Sequence, residues 1–323
     1  MAKGKTKAQP PNTTPMSTAQ PTYLFNADSR SDSDILSSLL ERGIGASFDL
    51  REWSTRARSC SSIPSAREKL KLLLEPVRTD VAKLITLQAL ENDASRASLR
   101  DECVYGEITV QSFEHDILCQ LPQWMSDCSS ENVCFYDLGS GTGKNVFLAA
   151  ISGIFHRAVG IEILAELASI GEVLNASFVE DVVGGCGSVV VGRKDGGSYG
   201  SLESGVCGDD TEVRKPRSIA STELRLGSFL RDIEWVKVAD VVYFHALMFD
   251  EVTMTALAAL AKGMKKGSLF ITTGQDLMSF FVDTDEVASG GLLQHSCGFE
   301  IVQTFQTNHS FAPGIDTFVH KRI

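Results

Sequence analysis

The sequence predicts a doubly wound α/β fold: a mostly parallel sheet with helices on both faces. Three observations carry this reading. From residue 133 onward, short apolar strands alternate with helices. A glycine-rich turn, Asp137-Leu138-Gly139-Ser140-Gly141-Thr142-Gly143-Lys144, follows the first strand and opens a helix. An acid, Glu162, ends the second strand. Strand–helix alternation of this length implies a parallel sheet covered on both sides.

The elements follow in order. Val133–Asp137 is a short apolar strand and 144–152 a helix. The second strand is 158–161, followed by a helix over 164–179. A third strand is expected at 223–226 and a fourth at 239–244, next to Asp240. A helix at 251–264 leads to a fifth strand at 268–273. Two more strands, 300–306 and 316–321, close the chain. No helix lies between them, so they are expected to pair antiparallel. Residues 184–218 interrupt the pattern with nine Gly and five Ser, and read as a long inserted loop.

Three parts are expected before the insertion is counted. Residues 1–27 hold four of the nine prolines, with Lys3, Lys5 and Lys7 against no acid, and read as a disordered basic tail. Residues 28–130 read as a helical region with a cofactor-covering loop, and 131–323 as the α/β core. Leu70, Leu72, Leu73 and Leu74, then Val81, Leu84, Ile85, Leu87 and Leu90, recur near helical spacing, with Pro76 between the two helices.

Composition limits the function classes. At 323 residues, 43% hydrophobic and 22% charged, the chain is an ordinary globular protein rather than a fibre or a disordered polymer. No apolar run reaches the length of a membrane span, and no membrane contact is expected. The eight cysteines contain no CxxC pair, so reduced thiols are expected rather than a disulfide framework or a zinc site. The net charge of −11 excludes nucleic-acid binding through the overall field. A local exception is residues 51–100, with ten Lys/Arg against six Asp/Glu; Arg51, Arg56, Arg58, Arg67, Lys69 and Lys71 cluster most. That cluster reads either as a solvated helix face or as a docking surface.

The glycine turn carries the chemistry. Glycines let the backbone turn tightly and approach a ligand, and the following helix N-terminus offers free amides. A dinucleotide GxGxxG motif would place Gly at 144, where Lys stands, and no Walker loop fits. A carboxylate at Glu162 suits two ribose hydroxyls. An acidic glycine loop with this Glu is the class I S-adenosylmethionine pattern, in which Asp137 faces the methionine ammonium or holds the loop. Val104-Tyr105-Gly106-Glu107-Ile108, just upstream, places a second acid near the amino-acid end of such a cofactor.

Together, VYGE at 104–107, DLGSGTGK at 137–144 and VGIE at 159–162 resemble the non-SET histone lysine methyltransferases named for disruption of telomeric silencing. VVYFHALMFDEV at 241–252 and MKKGSLFITT at 264–273 fall in the same order. The compact size is similar to protozoan members, trypanosomatid ones in particular. The resemblance implies a seven-stranded class I methyltransferase fold with an N-terminal helical region. It also implies S-adenosylmethionine as cofactor, no metal, a lysine of the histone H3 core on nucleosomes as substrate, and a nuclear location. Contact to DNA would run through local basic patches. By motif match, Tyr105, Gly106, Glu107, Ile108, Asp137, Gly139, Ser140, Gly141, Gly143 and Lys144 contact the cofactor; Glu162 takes the ribose, and Ser228 and Phe229 flank the adenine. His245, Leu247, Phe249 and Phe311 are candidate walls of a lysine channel.

The chain departs from better-known members at four points: Ser228 stands where they carry Asp, His245-Ala246 where they carry Asn-Asn, Ile108 where Thr directly follows YGE, and only the Lys3–Lys7 tail and the 51–100 cluster stand where they often carry a strongly basic extension. Two alternatives stay open: another class I methyltransferase acting on RNA, a non-histone protein or a small molecule, or an inactive chromatin-binding module. If His245 lines the channel with an ordinary histidine pKa, transfer is expected to fall as pH drops through ~6.5.

Overall fold

A computed structural model describes residues 65–75, 77–92, 105–125, 132–183, 219–281 and 298–323. Helix α1 (Ala66–Leu74) starts at a capping box: the Ser65 side chain accepts from the Glu68 amide, and Glu68 reaches back to the Ser65 amide. Helix α2 (Thr79–Asn92) follows; Pro76, expected between the two helices, lies outside the described residues. Thr109 caps α3 (Val110–Ser112), which runs into a π-helical turn, Phe113–Leu118, and then α4 (Leu121–Trp124).

The core begins at β1 (Cys134–Leu138), continues through α5 (Lys144–Ile151) and β2 (Arg157–Glu162), and then α6 (Ala165–Ser177). After α6 a π-helical turn occupies Phe178–Val183. Next come β3 (Ser221–Leu226), α7 (Glu234–Val238), β4 (Val241–His245), α8 (Glu251–Ala261) and β5 (Leu269–Thr273). A 3-10 turn, Leu277–Phe280, precedes β6 (Phe299–Thr307) and β7 (Ile315–Arg322). The strands and helices expected from residue 133 onward are present, with no end shifted by more than three residues.

The sheet order is β3-β2-β1-β4-β5-β7-β6. The first five strands are parallel, and β7 runs antiparallel to both β5 and β6. This is the class I methyltransferase fold. β1 and β5 are buried along nearly their whole length because helices cover both faces. The edge strand β6 instead exposes most of its residues. One face packs Phe147, Ala149 and Ala150 of α5 on Phe135, with Leu70 and Leu74 of α1 in the same cluster. The other face packs Met254, Leu257 and Ala258 of α8 on Val242, Phe244 and Phe270.

The topology fixes the site. From β1 the chain winds outward through β2 to β3, then crosses back to β4 on the other side. A crevice opens at the carboxyl ends of β1 and β4, where an α/β sheet places its ligand. The expected tail at 1–27, the insertion at 184–218, and Arg51, Arg56 and Arg58 lie outside the described residues. Arg67 is engaged by Glu114. Among the described residues, no helix is long and apolar enough to cross a membrane.

Candidate active site

A cavity of about 270 Å³ lies at that crevice. Tyr105, Gly106, Glu107, Ile108, Asp137, Gly139, Ser140, Gly141, Lys144, Glu162, Ser228, Phe229, His245 and Phe249 all line it. Gly143 does not; it caps α5 in the left-handed region, φ 87°, and a side chain there would collide with Leu224. Phe311 stands behind the wall, edge-on to the His245 ring at 6.0 Å between centroids. Leu247 packs against Gly274 instead.

The glycine loop is held by the acid that the sequence assigns to ribose. The amides of Gly141 and Leu164 donate to opposite oxygens of Glu162, each at 2.8 Å. Burial raises the pKa of Glu162, and these amide bonds oppose that shift. Glu162 therefore staples the loop to the end of β2 while retaining acceptor capacity toward the cavity. At Gly141, φ is 57°, and a Cβ would lie 2.9 Å from the Tyr105 ring. The loop thus needs glycine both to turn and to let Tyr105 close over it.

Glu107 gathers donors from three elements. It accepts from Thr79 on α2 at 2.6 Å, from the Tyr105 hydroxyl, and from Lys144 on α5. The Tyr105–Ile108 segment is thereby tied to the N-terminal helices and to the core together. Burial, followed by the charge of Glu107, pushes the Tyr105 phenol well above its ordinary pKa, so it remains a neutral donor.

Asp137 is the anomaly. It is buried, its Oδ2 has no hydrogen-bond partner, and burial pushes its carboxyl up to about 8, with Asn145 opposing. An unpartnered carboxyl oxygen at a ligand crevice suits a cationic group, because burying a charge is favourable only with a partner. Asp137, the Glu162 carboxylate and the glycine turn together fit the ammonium and ribose of S-adenosylmethionine.

The far side of the cavity divides into two clusters. Phe249 packs with Phe244 at 4.6 Å and with Phe229 at 5.8 Å between centroids. The Trp235 indole donates to the Phe229 carbonyl at 2.9 Å and sets that turn. His245 sits with His309 and Phe311. Besides Leu247, the candidate channel residues are therefore not one group: His245 and Phe311 belong together, and Phe249 belongs beside Phe229. His245 also departs from the ordinary pKa assumed from sequence: burial lowers it to about 4.

Several contributors carry no sequence signal. Thr86 of α2, Leu167 of α6, Tyr243 and Thr253 line the cavity. Gln275 donates to the carbonyls of Ala246 and Phe249 at 2.6 and 2.8 Å, fixing the loop after β4. His309 bonds His245 across 64 residues of sequence. No local pattern announces such contacts.

Residues 94–184 match the family model described as histone methylation protein DOT1. That segment is of the DOT1 type. The matched segment takes in the Tyr105–Ile108 turn, the glycine loop and Glu162, which line one side of the cavity. No curated protein gives a significant match. Among solved structures, the chain resembles magnesium protoporphyrin IX methyltransferase from Synechocystis PCC 6803 with bound S-adenosylmethionine. That likeness has 13% identity and a TM-score of 0.38, covering 75% of this chain and 97% of that one. It also resembles an O-methyltransferase from Bacillus cereus in complex with S-adenosylhomocysteine, at 13% identity and a TM-score of 0.40, covering 74% and 90%. The ribosomal protein L11 methylase from Lactobacillus delbrueckii subsp. bulgaricus is similar at 13% identity and a TM-score of 0.37, covering 67% and 81%.

Proposed function

We propose that this DOT1-type chain is a histone-lysine N-methyltransferase that takes its methyl group from S-adenosylmethionine and acts in the nucleus on a lysine of the histone H3 core in nucleosomes. The observation that carries the reading is the DOT1 match over 94–184, whose turn, loop and acid line the same cavity as His245. The cofactor supplies an electrophilic methyl on a sulfonium.

The chain's residues bind and align. Glu162 offers its free lone pairs to ribose hydroxyls, and Asp137 offers its unpartnered oxygen to the ammonium. Phe229, with Phe249 beside it, provides an apolar slot for adenine, while Ser228 makes a weaker polar contact than an acid would. The His245–Phe311 end is assigned to the acceptor amine. The amine must be neutral to attack. A partly buried end disfavours its charged form, and a neutral His245 adds no positive charge beside it. The remaining work is alignment.

The test is full-length protein with methyl-tritiated cofactor and, in parallel, nucleosomes, free histones, RNA and a small-molecule acceptor panel. Label on H3 within nucleosomes is expected. Label on RNA or a small molecule would replace this reading with another class I methyltransferase. Cofactor binding without transfer to any acceptor would leave an inactive chromatin module. Reversing charge at Arg56, Arg58, Lys69 and Lys71 is expected to weaken nucleosome labelling in a salt-sensitive manner, while leaving cofactor binding unchanged.

A further inference from the structure

His245 is half-buried at the carboxyl end of β4, and its Nε2 lies 3.0 Å from Nδ1 of His309. His309 comes from the loop between β6 and β7 and is almost fully buried. Its other nitrogen, Nε2, lies 2.9 Å from the Thr307 hydroxyl, which is 2.8 Å from the hydroxyl of Thr317. Thr307 and Thr317 are both buried on the paired strands β6 and β7. A polar chain therefore runs from the cavity wall into the sheet.

Both imidazoles are neutral. Burial lowers His245 to about 4; burial, with the neighbouring His245 adding to it, lowers His309 to about 3. A neutral imidazole carries one donor and one acceptor nitrogen, so each ring has two tautomers. Across the 3.0 Å contact one ring must donate and the other accept. The choice at His309 therefore dictates the choice at His245. If Thr307 donates to His309 Nε2, then His309 donates from Nδ1, and His245 must accept at Nε2 and carry its proton on Nδ1. That relay selects the Nδ1-protonated tautomer of His245.

We propose that His309 is a positioning residue for transfer: by donating to His245 Nε2, it holds the His245 ring in the Nδ1-protonated tautomer and leaves no nitrogen lone pair facing the acceptor end of the cavity. The chemical reason lies in the acceptor. An imidazole lone pair is a good acceptor for an ammonium N–H and would favour the charged, unreactive amine. With Nε2 engaged by His309 and Nδ1 carrying the proton, the ring has no free lone pair, and its Cε1 lies 3.6 Å from a Cβ built on Gly106, which lines the cavity. The inference rests on the assignment of the His245 end to the acceptor amine. The tautomer itself does not depend on that assignment.

The test separates the two. Full-length protein labelled with ¹⁵N-histidine reports each ring's tautomer directly, with His245→Asn assigning the His245 signals. The wild type and His309→Asn, whose amide can still donate to His245, are expected to show one Nδ1-protonated tautomer at His245. His309→Leu is expected to show averaging of the two tautomers. In turnover assays, His309→Leu should lower kcat at least about tenfold with the cofactor KM unchanged, and His309→Asn should recover most of that loss. If the leucine variant does not fold, Thr307→Val carries the same test, because without the hydroxyl His309 loses the partner that sets its own tautomer. An unchanged His245 signal in the leucine or the valine variant overturns the proposal. So does identical behaviour of the leucine and asparagine variants. If the wild type transfers no methyl to any acceptor, the functional reading fails, and the ¹⁵N result still decides the tautomer.

Discussion

Replacing Glu162 with Ala removes two things at once. The Gly141 and Leu164 amides each lose an acceptor at 2.8 Å, and the ribose loses its expected partner. A buried donor left without a partner costs about 1–3 kcal/mol, so the two amides together are worth roughly 2–6 kcal/mol. The deletion also relieves a desolvated carboxylate, since burial raises the pKa of Glu162 against its amide bonds. The net loss therefore belongs in the lower half of the range, about 2–3 kcal/mol. For a core of this size, that is a fall in Tm of roughly 5–10 °C. The assay is thermal melting of the cofactor-free protein, with titration calorimetry of cofactor binding below the melting range. Two lost charge-assisted ribose bonds, about 1.5–3 kcal/mol each, should weaken binding at least about a hundredfold. An unchanged Tm would refute the staple; an unchanged affinity in the folded variant would refute the ribose contact.

Three further outcomes follow from the same geometry. Asp137→Asn should weaken cofactor affinity roughly tenfold to a hundredfold by removing the charge that meets the ammonium. Its effect on the cofactor-free protein has the opposite sign: an acid whose folded pKa is raised to about 8 loses stability as pH rises from about 4 to 8, so the Tm advantage of Asn should grow over that window. Gly106→Ala should displace Phe311, because the new Cβ would lie 2.5 Å from its ring, and a fluorescence or NMR probe of the β6–β7 loop should register the shift; no change at Phe311 would sink that contact. For the histidines, the folded pKa values of about 4 and about 3 lie below the unfolded value of ~6.5. The unfolded chain binds more protons as pH falls from about 6.5 to 4, so stability drops through that window. The double variant His245→Asn/His309→Asn should lose less Tm than wild type between about pH 7 and pH 5; equal losses would show that the pair is not buried neutral.

The sequence by itself determined the strands, the antiparallel end of the sheet, the glycine turn and the acid after β2. These are local signals: an apolar, β-branched run of five or six residues between polar breaks is too short for a helix and suits a buried strand, and three glycines before a helix suit a turn that approaches a ligand. Fourteen of the residues assigned to the site from sequence line one cavity: those at or just beyond strand ends are collected at one edge by the topology, and Tyr105–Ile108 is tied there through Glu107. Tertiary structure decided the roles. Glu162 holds the loop as well as facing the cavity, which depends on where the Gly141 and Leu164 amides point. Phe249 joins Phe229 rather than Phe311 because the loop after β4 is fixed by Gln275 from beyond β5. His309, far along the chain from His245, reaches it only because β7 inserts beside β5 and carries the β6–β7 loop over the cavity rim. Burial then moves both histidines out of their ordinary titration range, and burial is a property of the folded chain that no residue carries alone.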